Sequence, residues 1–160
     1  MGIEIERKFL VATDAWRSAA TRVISLRQGY LSTNPECAVR VRIRGEAAYL
    51  TVKGRSVNGA APEFEYPVPV ADAAAMLDTL AKKPLIEKNR HLVPMDGFTW
   101  EVDEFFGENA GLVIAEIELA STDQPYPTPA WLGREVTGDP RYYNANLVAN
   151  PFLSWRRTPE

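Results

Sequence analysis

Charged side chains recur at every second position in several short segments of this sequence. The first segment carries Glu4, Glu6 and Lys8, and five later segments carry pairs of a single sign. These pairs are Arg40 and Arg42, Glu63 and Glu65, Lys88 and Arg90, Glu101 and Asp103, and Glu116 and Glu118. On any one strand, such alternation is typical of a solvated sheet face. Like charges two residues apart repel, however, so the repeated pairs favour a ligand that relieves the repulsion.

The residue types indicate which ligand this would be. Arginine presents a planar fork and lysine a point charge, and together they commonly hold phosphate oxygens. Carboxylates repel phosphate, but Mg²⁺ bridges carboxylate and phosphoryl oxygens. Two metal ions can divide the work, one neutralising phosphate charge and the other lowering the pKa of an attacking water. The mixture of acidic and basic pairs therefore predicts metal-dependent chemistry on a polyphosphate.

The elements that carry these residues are mainly strands. Alternation predicts eight of them, at residues 3–10, 23–31, 38–44, 49–53, 63–68, 85–93, 98–105 and 112–119. A short helical stretch is predicted around Trp16, a clear helix over 72–83, and a last helix over 139–150 that begins with Asp139 and Pro140. Helices inserted between strands, without regular alternation, favour an antiparallel sheet, either closed as a barrel or folded as a sandwich.

Composition bounds the remaining possibilities. The 160 residues are 46% hydrophobic, which is enough for one domain with a core. With 18 Lys and Arg against 21 Asp and Glu, the overall charge offers no attraction to nucleic acid or to an anionic membrane surface. The single cysteine, Cys37, and the single histidine, His91, exclude an internal disulfide and a typical zinc site. Without a leader-like or membrane-spanning apolar run, we expect a soluble cytoplasmic protein.

Taken in order, the charged segments resemble the CYTH superfamily, the triphosphate tunnel metalloenzymes. The pattern Glu4-x-Glu6-x-Lys8 at the N-terminus is similar to the signature of that superfamily. Further matching segments lie at 39–42, 50–54, 63–66, 100–103 and 115–119, and at 131–137 and 139–144 as in the short bacterial members. The resemblance covers essentially the whole chain.

The resemblance implies a mostly β (α+β) fold, in which one domain over residues 1–160 forms an eight-stranded antiparallel closed barrel with a few flanking helices. It implies a tunnel that binds a triphosphate and requires Mg²⁺ or Mn²⁺. The implied metal ligands are Glu4, Glu6, Asp103, Glu116 and Glu118, with Asp103 either a ligand or an orienting group. The implied substrate-binding residues are Lys8, Arg40, Arg42, Lys53, Lys88 and Arg90.

The implied catalytic set is Glu4, Glu6, Lys8, Tyr30 and Lys88. Tyr30 would contact the terminal phosphate or simply pack, and Glu63 and Glu65 would hold the arginines. Arg141 would reach the tunnel mouth or cap local structure.

The expected activity is hydrolysis of inorganic triphosphate to pyrophosphate and phosphate. Three alternatives use the same tunnel: an adenylate cyclase, a thiamine or nucleoside triphosphatase, and a polyphosphate-binding module without turnover. No aromatic pair in the sequence indicates a pocket for a base or a thiazole. The expected partner is inorganic triphosphate or another triphosphate-containing small molecule, with no nucleic acid and no membrane, and a homodimer remains open.

Overall fold

A computed structural model describes residues 2–155. Its nine strands are β1 Gly2–Val11, β2 Arg22–Asn34, β3 Cys37–Arg44, β4 Ala47–Lys53, β5 Ala60–Val68, β6 Ile86–Met95, β7 Phe98–Phe105, β8 Val113–Glu118 and β9 Leu132–Glu135. All eight predicted strands are present, with β2 and β5 longer than the alternation indicates. The additional strand, β9, was not predicted because its four residues follow a proline-rich segment and show no extended alternation.

Three α-helices and three short 3₁₀ helices complete the described chain. The α-helices are α1 Trp16–Ala19, α2 Val70–Thr79 and α3 Asn144–Ala149, and the 3₁₀ helices are Gly107–Asn109, Pro140–Tyr142 and Phe152–Ser154. The longest helix within residues 2–155 has ten residues, and none there could cross a membrane.

The predicted helices differ from the observed ones at their ends. The helix predicted over 72–83 ends at Thr79, because the chain turns back onto β2, where the Lys82 amide donates to the Tyr30 carbonyl. The helix predicted over 139–150 is instead a 3₁₀ turn followed by α3. Asp139 caps that turn, with its carboxylate accepting from the Arg141 amide at 3.1 Å.

The sheet closes on itself as a barrel. The neighbour order is β5-β4-β3-β2-β6-β7-β8-β1-β9, and β1 also pairs with β5. All neighbours are antiparallel, and Gly2 opposite Glu63 lies in the closing pair of strands. β9 pairs with the end of β1, with a register shift between Phe9 and Val11. The antiparallel barrel is therefore confirmed, and the sandwich is excluded.

Apolar side chains cover much of the outside of the barrel wall. One buried cluster includes Phe9, Trp16, Trp100 and Trp131. Another joins Val41 of β3 to α2 through Leu77 and neighbouring residues. Since side chains on a strand alternate between its two faces, packing the apolar positions beneath helices and loops turns the charged positions into the barrel.

A close backbone approach positions the first charged strand. The amide of Glu6 donates to the carbonyl of Gly59 at 3.0 Å, just before β5 begins. Gly59 has a positive φ of 79°, and a Cβ there would lie 2.5 Å from the Glu6 carbonyl oxygen. A residue without a side chain is therefore required next to Glu6.

Candidate active site

The charged strand faces enclose a cavity of about 650 Å³ inside the barrel. It is lined by eleven of the twelve residues in the predicted site: Glu4, Glu6, Lys8, Tyr30, Arg40, Arg42, Lys53, Lys88, Arg90, Glu116 and Glu118. Asp103 is fully buried and is not part of the cavity lining. The residues predicted from alternation are thus brought together around one space.

The order of the strands sorts these charges by sign. β3 and β6 lie on either side of β2, and they supply Arg40, Arg42, Lys88 and Arg90 to a cationic wall. β7, β8, β1 and β5 are also neighbours, and they supply an acidic wall. The acidic wall comprises Glu4, Glu6, Glu63, Glu65, Glu101, Glu116 and Glu118. A polyphosphate and a metal ion would therefore each find a complementary wall.

Asp103 organises two members of the cationic wall. Its carboxylate accepts from Arg90 at 2.8 and 2.9 Å and pairs with the Lys88 Nζ at 2.7 Å. Burial would raise the pKa of Asp103, but Arg90 and Lys88 outweigh burial and hold that pKa well below its usual value. With both carboxylate oxygens engaged, the geometry favours a positioning role over metal ligation.

Lys88 and Arg42 lack full charge compensation. Burial, partly offset by Asp103 and reinforced by neighbouring cations, lowers the pKa of Lys88 to about 8. Arg42 is buried, its Nε donates to the Gln28 side chain at 2.7 Å, and it forms no ion pair with a carboxylate of residues 2–155. Burial together with Arg40 and Arg90 lowers the pKa of Arg42 to about 9. A buried cation without a partner is costly, so this wall is suited to an anion.

Arg40 also has hydrogen-bond donors that its neighbours do not fully satisfy. Its Nη2 donates to the Thr51 hydroxyl at 3.2 Å and lies 3.7 Å from a Glu65 oxygen. Its Nε is buried without a hydrogen-bond partner among residues 2–155. Of the two β5 carboxylates expected to hold the arginines, Glu65 makes this ion pair, and Glu63 pairs with no arginine among residues 2–155.

The acidic wall places carboxylates directly opposite one another. Glu6 is paired in register with Glu118, and Glu101 with Glu116. Burial, together with the carboxylates of Glu101 and its neighbours, raises the pKa of Glu118 to about 7. Burial and Glu4 likewise raise the pKa of Glu63 to about 7. Opposed carboxylates are destabilising unless a cation lies between them.

Two lysines partly supply the positive charge that these opposed carboxylates need. The Lys8 Nζ lies 3.7 Å from both Glu6 and Glu116, and the Lys53 Nζ contacts Glu4 and lies 3.7 Å from Glu6. Although burial lowers the pKa of Lys8, the surrounding carboxylates, Glu116 first, raise it above its usual value.

The acidic wall fits a hard divalent cation by its donor chemistry, since it offers carboxylate oxygens in excess of the lysines that meet them. Within residues 2–155, no three acidic, histidine or cysteine side chains are already gathered into a metal site. The carboxylates would therefore have to shift away from Lys8 and Lys53 to ligate a metal. Glu4, Glu6, Glu116 and Glu118 are the residues placed to do so.

Several cavity residues were missing from the predicted site. Glu101 accepts from the Arg90 Nη1 at 3.2 Å, and its position two residues before Asp103 could have indicated it. Tyr143 and Asn144 also line the cavity, but they lie outside the barrel strands and alternation gave no signal for them. Gln28 is fully buried and contacts the cavity residue Arg42. Arg141 is not part of the cavity lining; it pairs with Asp139 at 2.7 Å and lies over the ring of Tyr142.

Comparison with known proteins identifies relatives along nearly the whole chain. The CYTH domain family matches residues 2–148. An inorganic triphosphatase of Acetivibrio thermocellus is 52% identical over 156 residues, covering 98% of this chain and 99% of that protein. An inorganic triphosphatase of Nitrosomonas europaea is 36% identical over 151 residues, covering 91% and 96%. The crystal structure of an inorganic triphosphatase with 36% identity superposes with a TM-score of 0.67, covering 92% and 95%.

Proposed function

The chain belongs to the CYTH domain family, and from that premise we propose that it is an enzyme that hydrolyses inorganic triphosphate to pyrophosphate and phosphate. The observation that carries the proposal is Arg42, a buried guanidinium without a carboxylate partner among residues 2–155. The names of the two relatives support the same activity.

We assign phosphate binding to the cationic wall and metal binding to the acidic wall. Arg40, Arg42, Lys88 and Arg90 bind phosphate oxygens, and Asp103 fixes the last two cations. Lys8 and Lys53 bind phosphate where it approaches the acidic wall. Tyr30, which lines the cavity and is otherwise buried, and Lys88 lie near the reacting phosphate.

Glu4, Glu6, Glu116 and Glu118 would hold Mg²⁺ or Mn²⁺, the hard cations that carboxylate oxygens prefer. When bound, such a metal neutralises phosphate charge and lowers the pKa of the attacking water. In the reaction, the oxygen of water bonds to a terminal phosphorus, one P–O–P bridge breaks, and pyrophosphate leaves with the bonding electrons. One proton of the water stays on the released phosphate, and the other leaves to solvent.

Inorganic triphosphate is favoured over a substrate with an organic group by the lining of the cavity. Just over half of the described lining residues are charged, and the aromatic side chains among them are Tyr30, Tyr49 and Tyr143. Adenylate cyclisation and thiamine or nucleoside triphosphate hydrolysis are therefore secondary candidates, as is binding without turnover.

We also propose that residues 1–160 form one CYTH-like domain located in the cytoplasm. The single cysteine, Cys37, is exposed and can form no internal disulfide, and a reducing compartment suits such a chain.

The proposed function is tested by phosphate release from tripolyphosphate, ATP and thiamine triphosphate, each with Mg²⁺, Mn²⁺ or chelator. We expect metal-dependent release from tripolyphosphate, with equal amounts of pyrophosphate and phosphate. Release only from an organic triphosphate would replace the proposed substrate. Calorimetric binding of tripolyphosphate without release from any substrate would indicate a binding module.

Arg42→Met should weaken tripolyphosphate binding by roughly 10- to 100-fold, because charge-assisted hydrogen bonds are lost. Its melting temperature without ligand should not fall, since the substitution removes a buried cation that has no carboxylate partner. Isothermal titration calorimetry and thermal denaturation measure the two effects. Arg27→Met is the matched control, because Arg27 pairs with Asp78 on the outer surface. Unchanged affinity in Arg42→Met would remove this residue from the phosphate site.

A further inference from the structure

A chain of hydrogen bonds connects the cationic wall to residues beyond the barrel strands. Arg42 donates to the Gln28 side chain at 2.7 Å, and the Gln28 Nε2 donates to the Asn144 Oδ1 at 3.0 Å. The Lys88 Nζ donates to the same oxygen at 2.9 Å. Asn144 is the first residue of α3, and this short helix reaches the cavity beside β2 and β6.

Arg42 and Lys88, at the two ends of this hydrogen-bond network, determine which group donates and which accepts in each bond. Arginine and lysine side chains can only donate, so each must face an oxygen. The Gln28 oxygen therefore faces Arg42, which turns its amide nitrogen toward Asn144. The Asn144 oxygen must then accept from both Gln28 and Lys88. This settles the orientation of both amides, which the shapes of the side chains alone would leave ambiguous.

This orientation leaves the Asn144 Nδ2 uncommitted. Its two hydrogens have no acceptor among residues 2–155, and the atom is not sealed inside the protein. Asn144 borders the cavity, so the free amide is available to a ligand there. Lys88, one of the proposed phosphate-binding residues, donates to the oxygen of the same side-chain amide.

We propose that Asn144 is a substrate-binding residue whose Nδ2 donates to a phosphate oxygen of the triphosphate. The inference rests on the proposed function for the identity of the substrate. Asn144 thus has two tasks: its oxygen holds Lys88 and Gln28 in place, and its nitrogen supplies a neutral donor beside the cations. A donor-only face toward the cavity suits phosphate, which offers only acceptors when fully ionised.

Two substitutions separate these tasks. Asn144→Asp keeps an oxygen for Lys88 and Gln28 but replaces the donor with a second acceptor, whereas Asn144→Ala removes both and adds no charge. We expect each variant to lose at least about tenfold in affinity for tripolyphosphate, measured by calorimetry in chelator, and to raise KM in the metal-containing assay. Asn144→Asp should melt within about 3 °C of wild type.

Asn150→Asp is the matched control, since Asn150 is exposed at the other end of α3 and its Oδ1 accepts from Ser154. It should bind tripolyphosphate as wild type does. If Asn144→Asp binds tripolyphosphate nearly as tightly as wild type and only Asn144→Ala binds more weakly, Asn144 only holds Lys88 in place. That result would overturn the proposal. Near-wild-type affinity in Asn144→Ala would also overturn it. If the wild type binds tripolyphosphate but releases no phosphate, the proposed function fails, while the calorimetric comparison still tests Asn144.

Discussion

Glu6→Gln is expected to lower metal-dependent turnover of tripolyphosphate by on the order of 10²–10³-fold, the scale seen when a group that stabilises transition-state charge is removed. Glu6 lies opposite Glu118 in the acidic wall, and an amide cannot supply the negative charge that a divalent cation requires. Glu4→Gln should behave similarly. Because these side chains face the cavity and not the apolar clusters, both variants should melt within about 3 °C of wild type.

Steady-state kinetics and thermal denaturation with and without Mg²⁺ test this expectation. The rise in melting temperature that Mg²⁺ causes in the wild type should be reduced in Glu6→Gln. Glu46→Gln carries the same change at an exposed turn between β3 and β4, and it should retain full turnover. A large loss of stability in Glu6→Gln would assign Glu6 a structural role instead.

Asp103→Asn should destabilise the protein by about 3–5 kcal/mol, because it leaves Lys88 and part of Arg90 as buried cations without a counter-charge. Lys88 is only 2% exposed, and Arg90 is 7% exposed. At about 2–4 °C per kcal/mol for a chain of this size, the melting temperature should fall by roughly 10 °C. Tripolyphosphate added in chelator should restore much of the loss, because it supplies negative charge to the cationic wall.

Glu104→Gln is the control, since Glu104 is adjacent in β7 but faces outward to Arg17. Exposed ion pairs contribute about 0–1 kcal/mol, so its melting temperature should hardly change. The same experiment separates the two roles predicted for Asp103. A positioning residue leaves the Mg²⁺-induced rise in melting temperature intact in Asp103→Asn, whereas a metal ligand abolishes it. Wild-type stability in Asp103→Asn would contradict the buried ion pairs.

Local alternation was sufficient to predict the eight barrel strands and their charged face. The side chains of Arg40 and Arg42, for example, must share a face because a strand repeats every two residues. Glu101 follows the same rule, although it was not included in the predicted site. Tyr143 and Asn144 lie outside any alternating segment, so no periodicity could place them at the cavity.

What the sequence by itself determined is therefore the set of charges on each strand. Only the tertiary structure decided which strands are neighbours, because strand pairing depends on contacts between distant parts of the chain. By placing β6 beside β2 and β1 between β8 and β5, the fold groups cations on one wall and carboxylates on the other. It also buries Asp103 against Lys88 and Arg90, because those two cations offset the cost of burying that carboxylate.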